Sequence, residues 1–304
     1  MTQTEAGLDP FEAHRPRMVR LAYRMLGSMA EAEDIVQEAW LRWRRVDPDA
    51  IVEPAAYLNR TVTRLCLDAL KSARARRETY IGTWLPEPIV DPPDDGIRLD
   101  ELTLTLMLVL ERLSPLERAA FLLHDVFETP MDEIAVTLER DPAAVRQLAA
   151  RARRHVREAR PRYAADRSEG ERMAMAFFTA SRSGDIGALR SMLAESVVLR
   201  SDGGGKVLAF LNPIVGIERA LRLFAGLRRK RKERLPELVR PLWIDGLPGF
   251  VSRDPDGTLQ TTALTIEDGR IAGIFITRNP DKLGHVGRSL GTDRSLALEP
   301  HPAK

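Results

Sequence analysis

MDEIAVTLERDPAAVRQLAARARRHVRE, residues 131–158, decides how this chain is read. Ile134, Ala135 and Leu138 give a short amphipathic helix, and Arg140-Asp141-Pro142 breaks it with a proline suited to the first turn of a second one. In that second helix Val145, Ala149, Ala152 and Val156 recur as one buried stripe. Ala143, Arg146, Gln147, Arg151 and Arg154 fall together on another face. Two short helices joined by a tight break form a helix-turn-helix. The second face suits a DNA major groove, because arginine offers two donors to guanine, glutamine addresses adenine, and further arginines neutralise phosphates. A merely solvated helix could carry the same charges, so the rest of the chain has to decide.

Outward from this stretch, Ser114-Pro115 and Thr129-Pro130 mark two more proline-led helix starts within a helical block over residues 98–163. Upstream, Pro86, Pro88, Pro92, Pro93, Gly82 and Gly96 predict an interdomain linker over 79–97. Residues 8–78 form a first helical block, with Ser28 and Glu31 as a capping box and Leu58, Val62, Leu65 and Ala69 as a later buried stripe. Residues 168–285 read as an α+β unit. Helices are expected at 171–182, 185–194 and 216–233, and Asp-Gly turns at Asp202, Asp256 and Asp268. The last of these joins 261–267 to 270–277 as a hairpin. From residue 284 no period remains, and 286–304 is expected to be a disordered tail. The fold class is multidomain: two all-α domains plus an α+β domain.

A chain of 304 residues holds two or three domains. Its 46 Lys+Arg against 44 Asp+Glu leave a formal charge of +2, so only local charge can announce nucleic acid. One cysteine, Cys66, excludes a disulfide framework and cysteine-rich zinc sites and reads as a structural thiol. No metal or cofactor is expected. The first ten residues lack a signal pattern and the apolar run 102–110 is too short to span a bilayer, so the expected location is the cytoplasm, with no membrane partner.

In the helix after Ser28, Ile35, Val36, Ala39 and Trp43 can face a core, leaving Glu33, Asp34, Gln37, Glu38 and Leu41 outward. Such an acidic face cannot read DNA. The next helix leaves Asn59, Arg60, Thr63, Arg64, Lys71, Arg74, Arg76 and Arg77 as a basic remainder suited to phosphates and unstacked bases. The run EAEDIVQEAW at 31–40 resembles region 2.2 of extracytoplasmic-function sigma factors, and the helix-turn-helix resembles their region 4. That resemblance implies polymerase binding by Asp34, Gln37, Glu38 and Leu41. It implies −10 reading, with capture of a flipped base, by Asn59, Arg60, Thr63, Arg64, Lys71 and Arg74. Ala143, Arg146, Gln147, Arg151 and Arg154 would read the −35 duplex. The implied partners are core RNA polymerase and promoter DNA.

The C-terminal pattern of helices followed by a curved antiparallel sheet resembles a SnoaL-like, nuclear-transport-factor-2-like cone, an extension that a subgroup of these sigma factors carries. Three motifs support the resemblance: Trp84-Leu85-Pro86-Glu87-Pro88, Asp202-Gly203-Gly204-Gly205-Lys206 and Asn279-Pro280-Asp281-Lys282-Leu283. They imply regulation within the chain, through contact between the C-terminal domain and the sigma domains. Taken singly, Asp202-Gly203 is also an ordinary hairpin turn, Asn279-Pro280 an ordinary strand terminator, and Trp84 a loop anchor. The basic run 228–234 reads as a solvated helix end or as a contact to DNA, polymerase or the acidic helix. Two other functions stay open. An enzyme would have to work without Tyr or His across 171–283, leaving Asp202, Asp245 and Asp254 as bases, and a small ligand could occupy the cone. A plain helix-turn-helix regulator would bind DNA without polymerase.

Overall fold

The computed structural model describes residues 10–47, 51–78, 80–90, 104–158, 166–231 and 234–291, and these form two units, one built from 10–47, 51–78 and 105–158, the other from 80–90, 104, 166–231 and 234–291. The first unit is helical: α1 Pro10–Leu26, α2 Met29–Trp43, α3 Pro54–Glu78, α4 Leu104–Leu110, α5 Pro115–Phe121, α6 Met131–Leu138 and α7 Pro142–Glu158. Ser28 Oγ accepts the Glu31 N–H and starts α2, while Ser114 and Glu117 complete a reciprocal capping box on α5. The end of α5 widens into a π-helical stretch, Leu122–Val126.

Met18, Leu21, Met25, Ala32, Val36 and Ala39 close the core between α1 and α2, the methionine, leucine and valine side chains contributing roughly 1.5–3 kcal/mol each and the alanines less. On α3 the buried stripe is Leu58, Val62, Cys66 and Leu70, with Leu65 and Ala69 only half-buried. The expected stripe was displaced by one residue because α3 packs on α5 and α6 as well as on α1 and α2. Burial pushes the Cys66 thiol up, which keeps it protonated and inert. The buried Arg118 draws three elements together, donating to the carbonyls of Leu110 and Met25 at 2.8 and 2.6 Å and pairing with Glu111 at 2.9 Å.

The helix-turn-helix forms as α6 and α7. Ile134, Ala135 and Leu138 are buried with Val145, Ala149, Ala152 and Val156, and Leu148 joins them. The break rests on Glu139 at φ +54°, a left-handed cap on a non-glycine residue, with the Arg140 N–H returned to the Ala135 carbonyl.

The second unit contains α8 Arg167–Ser183, α9 Ile186–Met192, β1 Leu193–Asp202, β2 Ile214–Val215, α10 Ile217–Arg231, β3 Glu237–Ile244, β4 Leu247–Arg253, β5 Leu259–Glu267, β6 Arg270–Thr277 and α11 Pro280–Ser289. Its six strands are ordered β2-β1-β6-β5-β4-β3. The expected β5–β6 hairpin is present, turning on Asp268-Gly269 with both residues at positive φ. The sheet is not wholly antiparallel as anticipated, since β1 and β6 run parallel. The chain leaves β1 through β2 and α10 to the far edge, then walks back by three antiparallel pairings and reaches β1 in its own direction. Register shifts in three pairings bend the sheet around the phenylalanine-rich core of Phe177, Phe178, Phe224 and Phe250.

Three expectations change here. Asp202-Gly203 is not a hairpin turn, because the strand pairing with β1 after it is the short β2, twelve residues later by number. The tail expected over 286–304 is helical as far as Ser289: Asn279 caps α11, Pro280 fits its first turn, and Leu283 and Val286 are buried. Residues 292–304 lie outside the described residues, as do 91–97 of the linker. Residues 80–90 of that linker do not span free between domains; they lie on the second unit with Leu85, Pro86, Glu87 and Pro88 buried.

Candidate functional site

The acidic face expected on α2 is exposed at Glu33, Asp34, Gln37 and Leu41, with Glu38 partly covered through its pairing with Arg42 at 2.9 Å. On α7 the expected groove-facing residues Ala143, Arg146, Gln147, Arg151 and Arg154 are all exposed. Arg151 also pairs with Glu117 at 2.8 Å, an arrangement that holds the Glu117 carboxyl below the usual range despite burial acting the other way.

The α3 set is corrected in part. Thr63 is fully buried, and its hydroxyl donates to the Asn59 carbonyl at 2.7 Å, so its side chain cannot touch DNA in this arrangement. Arg64 is drawn toward α6, donating to the Val136 and Thr137 carbonyls at 3.3 Å and pairing with Glu139 at 2.9 Å. Periodicity could not foresee this, because α6 is far away in sequence. Asn59 and Arg60 are half-exposed, and Lys71 pairs with Asp68 at 2.7 Å. The side chains of Arg74, Arg76 and Arg77 lie outside the described residues.

The three C-terminal motifs meet around one carboxylate. Asp202, with 0% exposure at the end of β1, accepts from the Tyr80 hydroxyl at 2.5 Å, the Leu85 N–H at 2.9 Å, the Gly204 N–H at 3.0 Å and the Lys282 ammonium at 2.8 Å. Lys282 reaches on to the Leu85 carbonyl at 2.5 Å and stands 4.3 Å from the centre of the Trp84 ring, a cation–π contact. Asn279 donates to the Tyr80 oxygen at 3.0 Å. Burial and the Asp202 carboxylate push the Tyr80 phenol up, so it remains a donor. Gly204 sits at φ +63°, and a Cβ there would run into the Asn279 carboxamide. Lys206 and Asp281 close the outside of the cluster as an exposed ion pair at 2.6 Å.

Residues 80–90 therefore form a strap. Pro86 and Pro88 bring no N–H groups to bury, and the N–H groups of Leu85 and Ile89 are taken by the side chains of Asp202 and Asp245 at 2.9 and 3.1 Å. The Asp245 N–H donates to the Ile89 carbonyl at 2.8 Å. At the far end His285 meets the Pro88 carbonyl at 2.6 Å and the Glu87 carboxylate at 2.9 Å. Burial alone would lower the His285 pKa, but these two acceptors outweigh it and raise the pKa above the usual histidine value.

Family models place this architecture. Sigma-70 region 2 matches residues 10–76 and Sigma-70 region 4 matches 103–156. The chain is 36% identical over 290 residues to the RNA polymerase sigma factor SigJ of Mycobacterium tuberculosis, covering 90% of this chain and 92% of that protein. It belongs to the extracytoplasmic-function sigma factors. A second relative, the probable sigma factor SigI of the same organism, is 34% identical over 300 residues, covering 96% of this chain and 99% of its own. The crystal structure of the M. tuberculosis SigJ superimposes with a TM-score of 0.72 at 34% identity, covering 90% of this chain and 96% of that one. This sigma factor thus acts in directing transcription initiation.

Other carboxylates in the sigma factor's C-terminal domain are engaged too. Asp245 anchors the strap, and Asp254 is gripped by Arg231 and Arg278 at 3.0 and 2.7 Å. Within the basic run, Arg231 is committed to Asp254, and Arg228 donates to the Ser183 carbonyl at 3.2 Å. Sequence reading missed Tyr80 and His285, and named Asp245 only as a possible base rather than as an anchor of residues 80–90. Tyr80 and His285 each lie within a few residues of a recognised motif, which was the available signal; Asp245 stood in an Asp-Gly turn of the same kind as those identified. Among the described residues no helix is long and apolar enough to cross a membrane, and no cluster of side chains suited to a metal ion is present.

Proposed function

We propose that this sigma factor docks on core RNA polymerase through the exposed face of α2, with Asp34, Gln37, Glu38 and Leu41 as the contact, and grips promoter DNA at two places. The −35 duplex takes the α7 face of Ala143, Arg146, Gln147, Arg151 and Arg154. The −10 element takes α3 through Asn59, Arg60, Lys71 and Arg74, joined by Arg64 once it leaves α6. The observation that carries this reading is chemical opposition: an acidic, partly apolar face on α2 and an arginine-rich face on α7, both exposed on one helical unit. An acidic face needs a protein partner and an arginine face a phosphate one.

The C-terminal domain acts on the connector between the two DNA readers. By holding 80–90 around Asp202 it fixes part of the chain that must accommodate the distance between the −10 and −35 sites, and release of the strap changes that reach. Covalent chemistry has little support, since Asp254 is bound by two guanidinium groups and Asp202 and Asp245 are committed to the strap.

Transcription of genomic DNA by core polymerase, with 5′-end sequencing, tests this. New starts sharing a spaced −35/−10 pair are expected with the full chain, and a changed yield from those starts is expected with a chain ending near Arg162. Absence of new starts with active core enzyme overturns the sigma reading; identical yields from both chains overturn the regulatory part.

A further inference from the structure

The C-terminal domain encloses a cavity of about 280 Å³ that the promoter-reading machinery does not use. Its body is aromatic, with Phe177, Phe178, Phe210, Phe224 and Phe250 contributing rings from two helices, a loop and the sheet. Its polar end is cationic. Arg231 and Arg278 both line it, and both pair with the single carboxylate of Asp254, so two positive groups share one negative. Arg182 lines the cavity as well and Asp256 lies near enough to feel the Arg278 charge, so among the described residues the cations still outnumber the carboxylates, and the buried Nε of Arg278 has no hydrogen-bond partner although the side chain is only 13% exposed. A buried donor without an acceptor is costly, by about 1–3 kcal/mol, and calls for one.

We infer that this cavity binds a small amphipathic monocarboxylate, its apolar body among the phenylalanine rings and its carboxylate at the Arg231–Arg278 end. The volume falls just below the usual range of ligand pockets, roughly 300–1,000 Å³, which excludes a nucleotide or a full lipid. A neutral alcohol of the same shape can accept from the orphan donor but leaves the surplus charge unanswered, so the site discriminates by charge.

The occupied cavity would be felt by the strap, because the two are served by adjacent residues at the end of β1 and just after the end of β6. Successive side chains on a strand point to opposite faces. Ser201 lines the cavity and Asp202 holds Leu85; Arg278 lines the cavity and Asn279 holds Tyr80. The loop after the glycines completes the link. Arg278 donates to the Leu208 carbonyl at 2.9 Å, Leu208 and Phe210 line the cavity, and the next residue, Leu211, accepts from the Thr83 hydroxyl at 3.4 Å. A carboxylate that draws Arg278 toward itself therefore pulls on the residues that fasten the strap. This coupling rests on the regulatory reading above; the binding itself does not.

The test uses the full chain, with 2-naphthoate and decanoate as probes and 2-naphthalenemethanol and decanol as neutral counterparts, followed by isothermal titration. At least one carboxylate is expected to bind at one per chain and at least tenfold more tightly than its alcohol. Leu227→Trp, which fills the cavity from α10, is expected to abolish binding of both. Arg278→Met is expected to reduce the carboxylate to the affinity of the alcohol, and serves alone if the tryptophan variant does not fold. No binding by either acid, binding that survives Leu227→Trp, or equal affinity for acid and alcohol would overturn the site. Hydrogen exchange at the Leu85 and Ile89 amides, read with and without the bound acid, is expected to change at least threefold. Unchanged exchange despite binding would overturn the coupling alone, and neither readout involves polymerase, so failure of the sigma reading would be seen separately.

Discussion

The two units carry their working groups in opposite ways. On α2 and α7 the residues assigned to partners stand outside, and the fold beneath them is completed by other side chains such as Val36, Ala39, Val145 and Ala149. Around Asp202 the motif residues are the packing itself, with Leu85 and Asp202 at 0% exposure and Lys282 at 12%. An exposed face can change without disturbing what it sits on, whereas a buried polar hub cannot. Function and stability should therefore separate cleanly in the first unit and refuse to separate in the second.

The largest effect belongs to Asp202→Asn. It leaves the Lys282 ammonium buried without its charge partner, a loss of about 3–5 kcal/mol in the second unit's stability. Denaturant unfolding should show it, together with loss of protection at the Leu85 amide; an unchanged midpoint would mean that the hub is not structural. Asp34→Lys with Glu38→Lys on α2 should lower polymerase-dependent transcription more than tenfold while stability moves by less than about 0.5 kcal/mol. If unfolding shifts by several times that, the contrast between the units fails. A smaller effect follows from His285. Its folded pKa is raised, so its contribution is fully present below the ordinary histidine value of about 6.5 and is lost as pH rises through the folded value. Protection of the strap amides, after correction for the intrinsic rise of exchange with pH, should thus fall as pH rises through the raised folded value, and His285→Gln should remove that dependence. The smallest effect is expected of Lys206→Ala, because the Lys206–Asp281 pair is more than half exposed and such pairs contribute about 0.2–1 kcal/mol. A loss approaching that of Asp202→Asn would show that the outer pair belongs to the hub.

The same contrast explains what could be read from the sequence. The α2 and α7 faces were legible because a helix repeats every 3.6 residues, and a face left over from a buried stripe is an exposed face. The Asp268-Gly269 hairpin was legible because Asp-Gly accepts positive φ. The α3 face was legible only in part: Thr63 and Arg64 are fixed by α3's own carbonyls and by α6, and no local period records a neighbour more than seventy residues away. In the C-terminal domain the motifs could be named but not assembled. Nothing in Asp202-Gly203 distinguishes a turn from a carboxylate collecting donors from residues 80, 85 and 282, and the proline-rich stretch read as a linker because its lack of N–H groups suits a free chain as well as a buried strap.

The distance in sequence between Leu85 and Lys282, 197 residues, also has a meaning in time. A ribosome adds roughly 5–20 residues per second, so the side chain that fastens Leu85 is made about 10–40 s after it. α3 is made before that interval and α7 within its first half, so for most of it both helices exist while residues 80–90 have no clasp. Each new copy of the protein therefore passes through a brief unfastened youth before α11 arrives to hold residues 80–90.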